Sequence, residues 1–122
     1  MSHQIVHVEF SADSHSEAAK WYAKVFGWEY LEFPEMNYTT FTTGEGGIGG
    51  GFNPVSDENP AGTVIVYIGT DDINATVKNI EANGGVTVVP PMEIPNTGMF
   101  SLFKDPSGNV IGIFQGLPEE TG

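Results

Sequence analysis

The residues best suited to chemistry in this sequence are His7 and Glu9, two positions apart in Val6-His-Val-Glu-Phe10. Apolar and polar residues alternate in this stretch, so a strand would place both side chains on one face. An imidazole titrates near neutral pH and a carboxylate can orient its ring, so the pair could transfer protons. The alternatives are a strand histidine that only hydrogen-bonds a neighbour and a carboxylate that is only solvated.

A metal site is the second chemistry to consider for this pair. Two ligands on one strand hold an ion weakly, whereas a catalytic metal needs about three protein ligands. The sequence has no cysteine, which excludes disulfides, thiol catalysis and cysteine-bound zinc. The stretch Gly44 to Gly49 matches the dinucleotide pattern G-x-G-x-x-G, but no helical pattern follows it, as that fold requires. We therefore expect neither a metal nor another cofactor.

The charge balance limits the possible partners. Sixteen acidic residues face four lysines and no arginine, giving a formal net charge of −12. Nucleic acid is excluded because its binding needs clustered basic side chains. No apolar run of about 18 residues is present, so no membrane span is expected. The N-terminal residues lack a signal-peptide pattern, and the absence of cysteine suits a reducing compartment, so we expect a cytoplasmic protein.

The elements that must position His7 and Glu9 follow from the hydrophobic pattern. Residues 4–10 form a predicted strand, and Ser14 and Glu17 form a capping box that begins a helix. Ala18, Trp21, Tyr22 and Val25 give this helix an apolar stripe, and Gly27 ends it. Three further strands are predicted over residues 28–33, 36–43 and 47–52. After a polar, proline-bearing linker the same order returns, with a helix capped by Asp71 or Asp72 and strands over residues 63–69, 86–89, 99–103 and 109–114.

The sequence also repeats itself. At an offset of 58, Val6 matches Val64 and Phe10 matches Ile68, and at an offset of 62, Phe41 matches Phe103 and Gly50 matches Gly112. The second repeat contains the turn Asp105 to Gly108, where proline and glycine favour a hairpin. We predict one α+β domain over residues 1–122, in which two tandem β-α-β-β-β modules pair into a curved, cup-shaped, eight-stranded sheet with the helices outside. Module one covers residues 4–53, the linker 54–62, module two 63–115 and the tail 116–122.

Several motifs in this order resemble the vicinal oxygen chelate superfamily, which includes glyoxalases, bleomycin-resistance proteins and extradiol dioxygenases. The resembling stretches are Val6 to Phe10, Glu17 to Trp28, Asp71 to Val77 and Phe103 to Val110. The resemblance covers both modules, from about Ile5 to Gln115. It implies paired modules that enclose a site on the inner face of the sheet.

In metal-dependent members of that superfamily, four inward positions hold a divalent ion that binds two adjacent substrate oxygens. Carried over by motif, these positions are His7, Gly50, Ile65 and Gly112, of which only His7 has a ligating side chain. The resemblance therefore implies that the full ligand set is missing here. The two glycines indicate either drift after metal loss or a wider cup that admits a ligand against bare backbone.

Strand alternation and the repeat predict which side chains line the inner face beside the proposed catalytic residues His7 and Glu9. We expect a lining suited to a flat, largely neutral organic molecule. On this assignment, a carboxylate at position 112 would block the ligand without much effect on folding. The predicted ligand-binding residues are Thr39, Phe41, Gly50, Ile65, Tyr67, Met99, Ser101, Phe103, Gly112 and Phe114.

Two classes of function follow, and a plain structural role is the third possibility. The first is a metal-free protein like those of the bleomycin-resistance branch, which binds a small organic molecule in its concave face. The second is a glyoxalase-related enzyme, of lyase or isomerase type and related to lactoylglutathione lyase, in which His7 and Glu9 transfer protons with or without a weak metal site. A second proton-transfer group near His7 would separate them, and Glu9 and Tyr67 are the candidates. A homodimer is expected for either class, because members of the superfamily often share modules or edges between chains.

Overall fold

The computed structural model describes residues 3–57 and 59–117 of the 122-residue chain. These residues form an α+β protein of two successive β-α-β-β-β modules, which confirms the predicted order of elements. A short 3-10 turn, Pro34–Met36, precedes the third strand. The elements are β1 Ile5–Ala12, α1 His15–Phe26, β2 Glu29–Phe33, β3 Tyr38–Thr42, β4 Gly49–Pro54, β5 Val64–Gly69, α2 Ile73–Ala82, β6 Val86–Ile94, β7 Gly98–Lys104 and β8 Val110–Gly116.

The described residues group into two compact units. Residues 6–66 form unit one, and residues 67–117 together with residues 3–5 form unit two. The predicted division into one domain with a linker over residues 54–62 stays a prediction, and residues 118–122 of the predicted tail lie outside the described residues. Neither helix in the described ranges has the length and apolar content that a membrane-spanning helix needs.

The strands of unit one lie in the order β2-β3-β4-β1, with β1 and β4 parallel and the other pairs antiparallel. Helix α1 begins where Ser14 Oγ accepts a hydrogen bond from Glu17 N at 3.2 Å, as the capping box predicts. It ends at Gly27, whose φ of 77° is the left-handed conformation that glycine adopts without strain.

One face of this sheet packs against α1 through aromatic rings. Phe41 and Phe52 are buried, Tyr22 stacks on Phe10 at 5.9 Å and Trp28 stacks on Phe41 at 4.7 Å. Burying each large ring stabilises the fold by roughly 1.5–3 kcal/mol. The predicted stripe of α1 is only partly confirmed, because Ala18 and Tyr22 contact this core while half or more of each of the following side chains is exposed: Trp21, Val25 and Phe26.

In unit two the order is β5-β8-β7-β6, with β5 and β8 parallel. Helix α2 is capped by Asp72, whose Oδ1 accepts from Ala75 N at 3.0 Å. Gln115 Oε1 accepts a further hydrogen bond from Ile73 N at 2.8 Å, which ties the beginning of α2 to β8. The predicted turn is confirmed, since Asp105 Oδ1 accepts from the backbone N–H groups of Ser107 and Asn109, both at 2.9 Å.

Strand pairing shows that the predicted alignment of the two modules is wrong by one residue at β4 and β8. Phe10 pairs with Phe52 in unit one, and Ile68 pairs with Ile113 in unit two. The first strands are therefore related by the predicted offset of 58, whereas β4 and β8 are related by 61 and not by 62. A slip of one residue moves every side chain of a strand to the opposite face. The counterpart of Gly112 is consequently Gly51, and Gly50 corresponds to Ile111.

Candidate functional site

A chain of polar side chains crosses the face of the unit-one sheet that lies opposite α1, which we call the network face. His7 Nε2 lies 3.0 Å from the hydroxyl oxygen of Tyr38, and this hydroxyl donates to Glu9 Oε2 at 2.9 Å. Asn53 Nδ2 donates to the other carboxylate oxygen, Glu9 Oε1, at 2.8 Å. All four side chains are half-buried, so the network meets solvent at one side and the sheet at the other.

The donors and acceptors give this network a direction. A carboxylate only accepts, so the single hydroxyl proton of Tyr38 is directed to Glu9. The Tyr38 oxygen then accepts from His7, which places the imidazole proton on Nε2 in the neutral ring. Protonation of the ring would keep this bond intact. The arrangement links His7 to Glu9 through Tyr38 and can carry a proton between them.

Burial lowers the pKa of His7 below its ordinary value of 6.5, because desolvation disfavours the charged imidazolium. His7 is therefore neutral at physiological pH, as a proton acceptor must be.

This pKa shift predicts a pH dependence of stability. Near pH 8 the imidazole is neutral in both states and contributes no linkage. Below about pH 6.5 the unfolded chain binds a proton that the folded protein resists, so the unfolding free energy falls until the lower folded pKa is passed. His7→Gln removes this component, and urea denaturation between pH 8 and pH 5 should show the wild type losing more stability than the variant. Parallel pH profiles for the two proteins would contradict this assignment.

Tyr38 reaches the network because Gly51 has no side chain. A Cβ at Gly51 would collide with the hydroxyl oxygen and Cζ of Tyr38, and would lie 2.5 Å from its Cε2. The ring therefore lies across bare backbone, in the space into which a side chain at position 51 would project. Gly51 faces the same way as its partner Glu9 on β1, whereas Gly50 pairs with Val8 and faces α1. The close approach suggested by the glycines of β4 is thus made by a protein side chain.

We predict that Tyr38→Phe breaks the hydrogen bonds of the hydroxyl to His7 and Glu9 while retaining the ring over Gly51. Because the network is only half-buried, the expected loss of unfolding free energy is modest, about 1 kcal/mol. Urea denaturation at pH 7.5 measures it. Tyr30→Phe is the matched control, since the Tyr30 hydroxyl bonds to no described residue and its ring packs at the core. Equal stability of Tyr38→Phe and Tyr30→Phe would show that the hydroxyl bonds contribute nothing.

Three predicted ligand-binding residues of unit one lie on the opposite face from His7 and Glu9. Thr39 is fully buried and its Oγ1 lies 2.6 Å from Nδ1 of His15, in the first turn of α1. Phe41 is part of the aromatic core, and Gly50 pairs with Phe41 on the same side. Their predicted facing was wrong because β3 and β4 were each assigned one residue out of phase. The correct phase brings Tyr38 and Asn53 to the network face, two residues that the sequence analysis missed.

The predicted ligand-binding residues of unit two also lie on both faces of its sheet. Tyr67 pairs with Gly112, and a Cβ at Gly112 would collide with ring atoms Cδ2 and Cε2 of Tyr67, so the tyrosine ring covers this glycine. Phe114 shares that face by alternation along β8, and Ile65, which belongs to unit one, faces the same way as Tyr67 by alternation along β5. The facing predicted for Met99, Ser101 and Phe103 was wrong. These residues pair with Gln115, Ile113 and Ile111 of β8, whose side chains lie on the side of α2. Ser101 is buried and its hydroxyl donates to Val89 O at 2.6 Å.

An open cleft of about 300 Å³ lies elsewhere in unit one, with apolar walls that include Phe10, Tyr22 and Phe52. These rings belong to the core beside α1, so the cleft is separate from His7, Tyr38 and Glu9.

Comparison with known proteins identifies the family. Residues 4–113 match the model of the Glyoxalase/Bleomycin resistance protein/Dioxygenase superfamily. The chain belongs to this superfamily. A protein from Didymella fabae named "Glyoxylase-like domain-containing protein" is 31% identical over 118 residues, which are 90% of this chain and 91% of the relative. "Putative glyoxylase CFP32" from Mycobacterium tuberculosis is 28% identical over 114 residues, which are 88% of this chain but 44% of that protein. The chain thus spans less than half the length of CFP32.

The superfamily fold is also found in solved structures. Methylmalonyl-CoA epimerase from Mycobacterium tuberculosis matches with a TM-score of 0.72 and 13% identity, over 93% of this chain and 88% of that one. At this identity the likeness establishes the fold alone.

The donor atoms of the described residues do not make up the ligand set of the metal-dependent superfamily members. Residues 3–57 and 59–117 contain no group of three or more His, Cys, Asp or Glu side chains that could hold an ion. Both carboxylate oxygens of Glu9 accept hydrogen bonds from protein groups, and His7 Nε2 faces Tyr38. Tyrosine rings cover Gly51 and Gly112, the positions from which further ligands would project. A catalytic metal needs about three protein ligands, and this arrangement provides at most two.

Proposed function

We propose that the protein binds a small, largely neutral organic molecule on the network face, without a bound metal. The observation that carries this proposal is the hydrogen-bonded chain from His7 through Tyr38 and Glu9 to Asn53. It is preorganised, half-buried and composed of hydrogen-bonding groups that converge on one face of the sheet, like the few placed polar groups of small-molecule sites. The superfamily matched by the chain supports the same general role.

Electrostatics supports a neutral ligand. The four lysines are Lys20, Lys24, Lys78 and Lys104, and none belongs to β1, β3 or β4. An anion on the network face would meet the Glu9 carboxylate and no lysine or arginine of those strands, within a chain of net charge −12. An uncharged molecule avoids this repulsion.

A thermal-shift screen of a metabolite and drug library for binding to the protein, in the presence of EDTA, tests the proposal. We expect hits whose binding perturbs the NMR signals of His7, Tyr38 and Asn53. Binding should weaken in His7→Ala and in Tyr38→Phe but not in Tyr30→Phe. A set of hits that binds all three variants equally, and perturbs other residues, would rule out this face as the site.

An enzyme is the second candidate function, favoured by the lowered pKa of His7 and its connection to Glu9 through Tyr38. A neutral imidazole can accept a proton from a bound molecule at Nδ1, while its Nε2 proton moves to the Tyr38 oxygen and the Tyr38 hydroxyl proton moves to the Glu9 carboxylate. The reaction class would be lyase or isomerase chemistry that begins with proton transfer, as expected for the glyoxalase-related enzyme that the sequence resemblance implies. Incubating each library hit with the protein in D₂O distinguishes the functions. Deuterium incorporation at carbon that is lost in His7→Gln indicates catalysis, and its absence indicates binding only.

The homodimer and the cytoplasmic location expected from the sequence remain predictions. The dimer is supported by the exposed apolar side chains of α1, where Trp21, Val25 and Phe26 are 55%, 52% and 59% exposed. Adjacent apolar groups of this size are commonly covered in protein–protein interfaces.

A further inference from the structure

Asn53 is held in one orientation by the network. It lies near the end of β4 on the face of Ser11 and Glu9, and its Nδ2 donates to Glu9 Oε1 at 2.8 Å. A carboxylate oxygen accepts and never donates when ionised, so this bond distinguishes the nitrogen of the amide from its oxygen. The Oδ1 atom of Asn53 is therefore directed away from Glu9.

This Oδ1 atom is an acceptor that the fold leaves to solvent. No group in residues 3–57 and 59–117 donates to it, because the bond to Glu9 is the one side-chain hydrogen bond of Asn53 in that part of the chain. The described residues also contain no buried side-chain polar atom without a partner. Oδ1 is consequently both accessible and fixed in direction beside the network.

We propose that Asn53 Oδ1 accepts a hydrogen bond from the bound molecule, which is therefore an uncharged compound with a hydroxyl or amide N–H group. This inference rests on the proposed function and narrows its ligand class. The Glu9 carboxylate next to Asn53 disfavours anions, and an acceptor oxygen selects a donor over an ether or ester of the same shape. Glu9 acts here as a positioning residue, because its Oε1 atom holds the Asn53 amide in place and is not itself the atom that binds the ligand.

Three aromatic probes of similar size test the donor requirement by NMR titration of the wild-type protein. Catechol carries two hydroxyl donors, 1,2-dimethoxybenzene has the same ring without donors, and benzoate is an anion. We expect catechol to perturb Asn53 and Tyr38, and to bind roughly tenfold more tightly than either of the others, the ratio of about one net hydrogen bond. Asn53→Leu should weaken catechol binding by a similar factor, while Asn74→Leu, at an exposed position of α2, should leave it unchanged.

The comparison of probes on the wild type stands even where Asn53→Leu fails to fold. Dimethoxybenzene or benzoate binding as tightly as catechol would overturn the proposal, as would full catechol affinity in a folded Asn53→Leu protein. Failure of catechol to bind at millimolar concentration would also overturn it. The library measurement decides the proposed function separately. Hits on the network face that lack a donor would refute the donor requirement and leave ligand binding standing.

Discussion

Gly50→Ala is expected to destabilise the protein strongly. A Cβ at this position would collide with the backbone carbonyl oxygen of Val8 in the parallel neighbour β1, and would lie 2.7 Å from Cζ of the buried Phe41. A strand carbonyl cannot rotate away without breaking the β1–β4 ladder. The cost should reach the upper end of the overpacking range, about 3 kcal/mol or more. This is a large part of the 5–15 kcal/mol, roughly, that stabilises a domain of this kind.

Gly116→Ala is the matched control, because Gly116 is an exposed strand glycine whose added Cβ would make an ordinary contact of 3.6 Å with Phe114. Urea denaturation followed by circular dichroism compares the variants. We expect a wild-type midpoint for Gly116→Ala and a strongly reduced midpoint, or no folded baseline, for Gly50→Ala. A Gly50→Ala midpoint close to that of Gly116→Ala would mean that β1 and β4 are not paired in this register.

Gly112→Glu is expected to be strongly destabilising, contrary to the sequence-based expectation that this position tolerates a carboxylate. The space above Gly112 is occupied by the Tyr67 ring, whose Cγ would lie 2.9 Å from the new Cβ and whose Cδ2 and Cε2 would collide with it. Tyr67 is only 7% exposed, so its ring has little freedom to move away. We expect a loss of about 3 kcal/mol from overpacking, increased by the desolvation of the carboxylate.

A double-mutant cycle isolates this clash. Gly112→Ala adds the colliding Cβ without charge, and Tyr67→Ala removes the ring that it meets. If the ring causes the damage, Gly112→Ala should cost much less in the Tyr67→Ala background than in the wild type, with a coupling free energy of about 1–3 kcal/mol. Additive losses of stability in the double variant would mean that the strain at Gly112 has another origin.

The glycine positions show how much of the fold could be predicted from the sequence alone. The offset of 58 between the first strands, the capping residue Ser14 and the turn at Asp105 depend on local patterns, and the structure confirms them. The run from Gly49 to Gly51 has no side chains that mark one face of β4, so the identical residues around it decide the alignment and favour an offset of 62 over 61. The alignment at 62 matched Phe52 to Phe114, although the pairing places Phe52 opposite Phe10. One residue of slip then reversed the face assigned to Gly50.

The site residues that the sequence analysis misplaced or missed depend on contacts across the fold. Thr39 and Phe41 look suitable for a lining, but Thr39 meets His15 of α1 and Phe41 stacks on Trp28, and neither contact has a local signal. Tyr38 is 29 residues from Glu9 in the sequence. A usable signal did exist, because an alternating strand with Phe41 in the core must place Tyr38 on the other face. The pair His7 and Glu9 was identifiable because both residues lie on one short, regular strand.

The metal content of the purified protein tests the central claim most directly, namely that His7 and Glu9 are committed to a protein hydrogen-bond network and not to an ion. Protein purified without chelators should be measured by elemental analysis beside His7→Ala. We predict no stoichiometric Zn²⁺, Ni²⁺, Fe²⁺ or Mn²⁺ in either sample. One equivalent of metal in the wild type that is lost in His7→Ala would contradict the account.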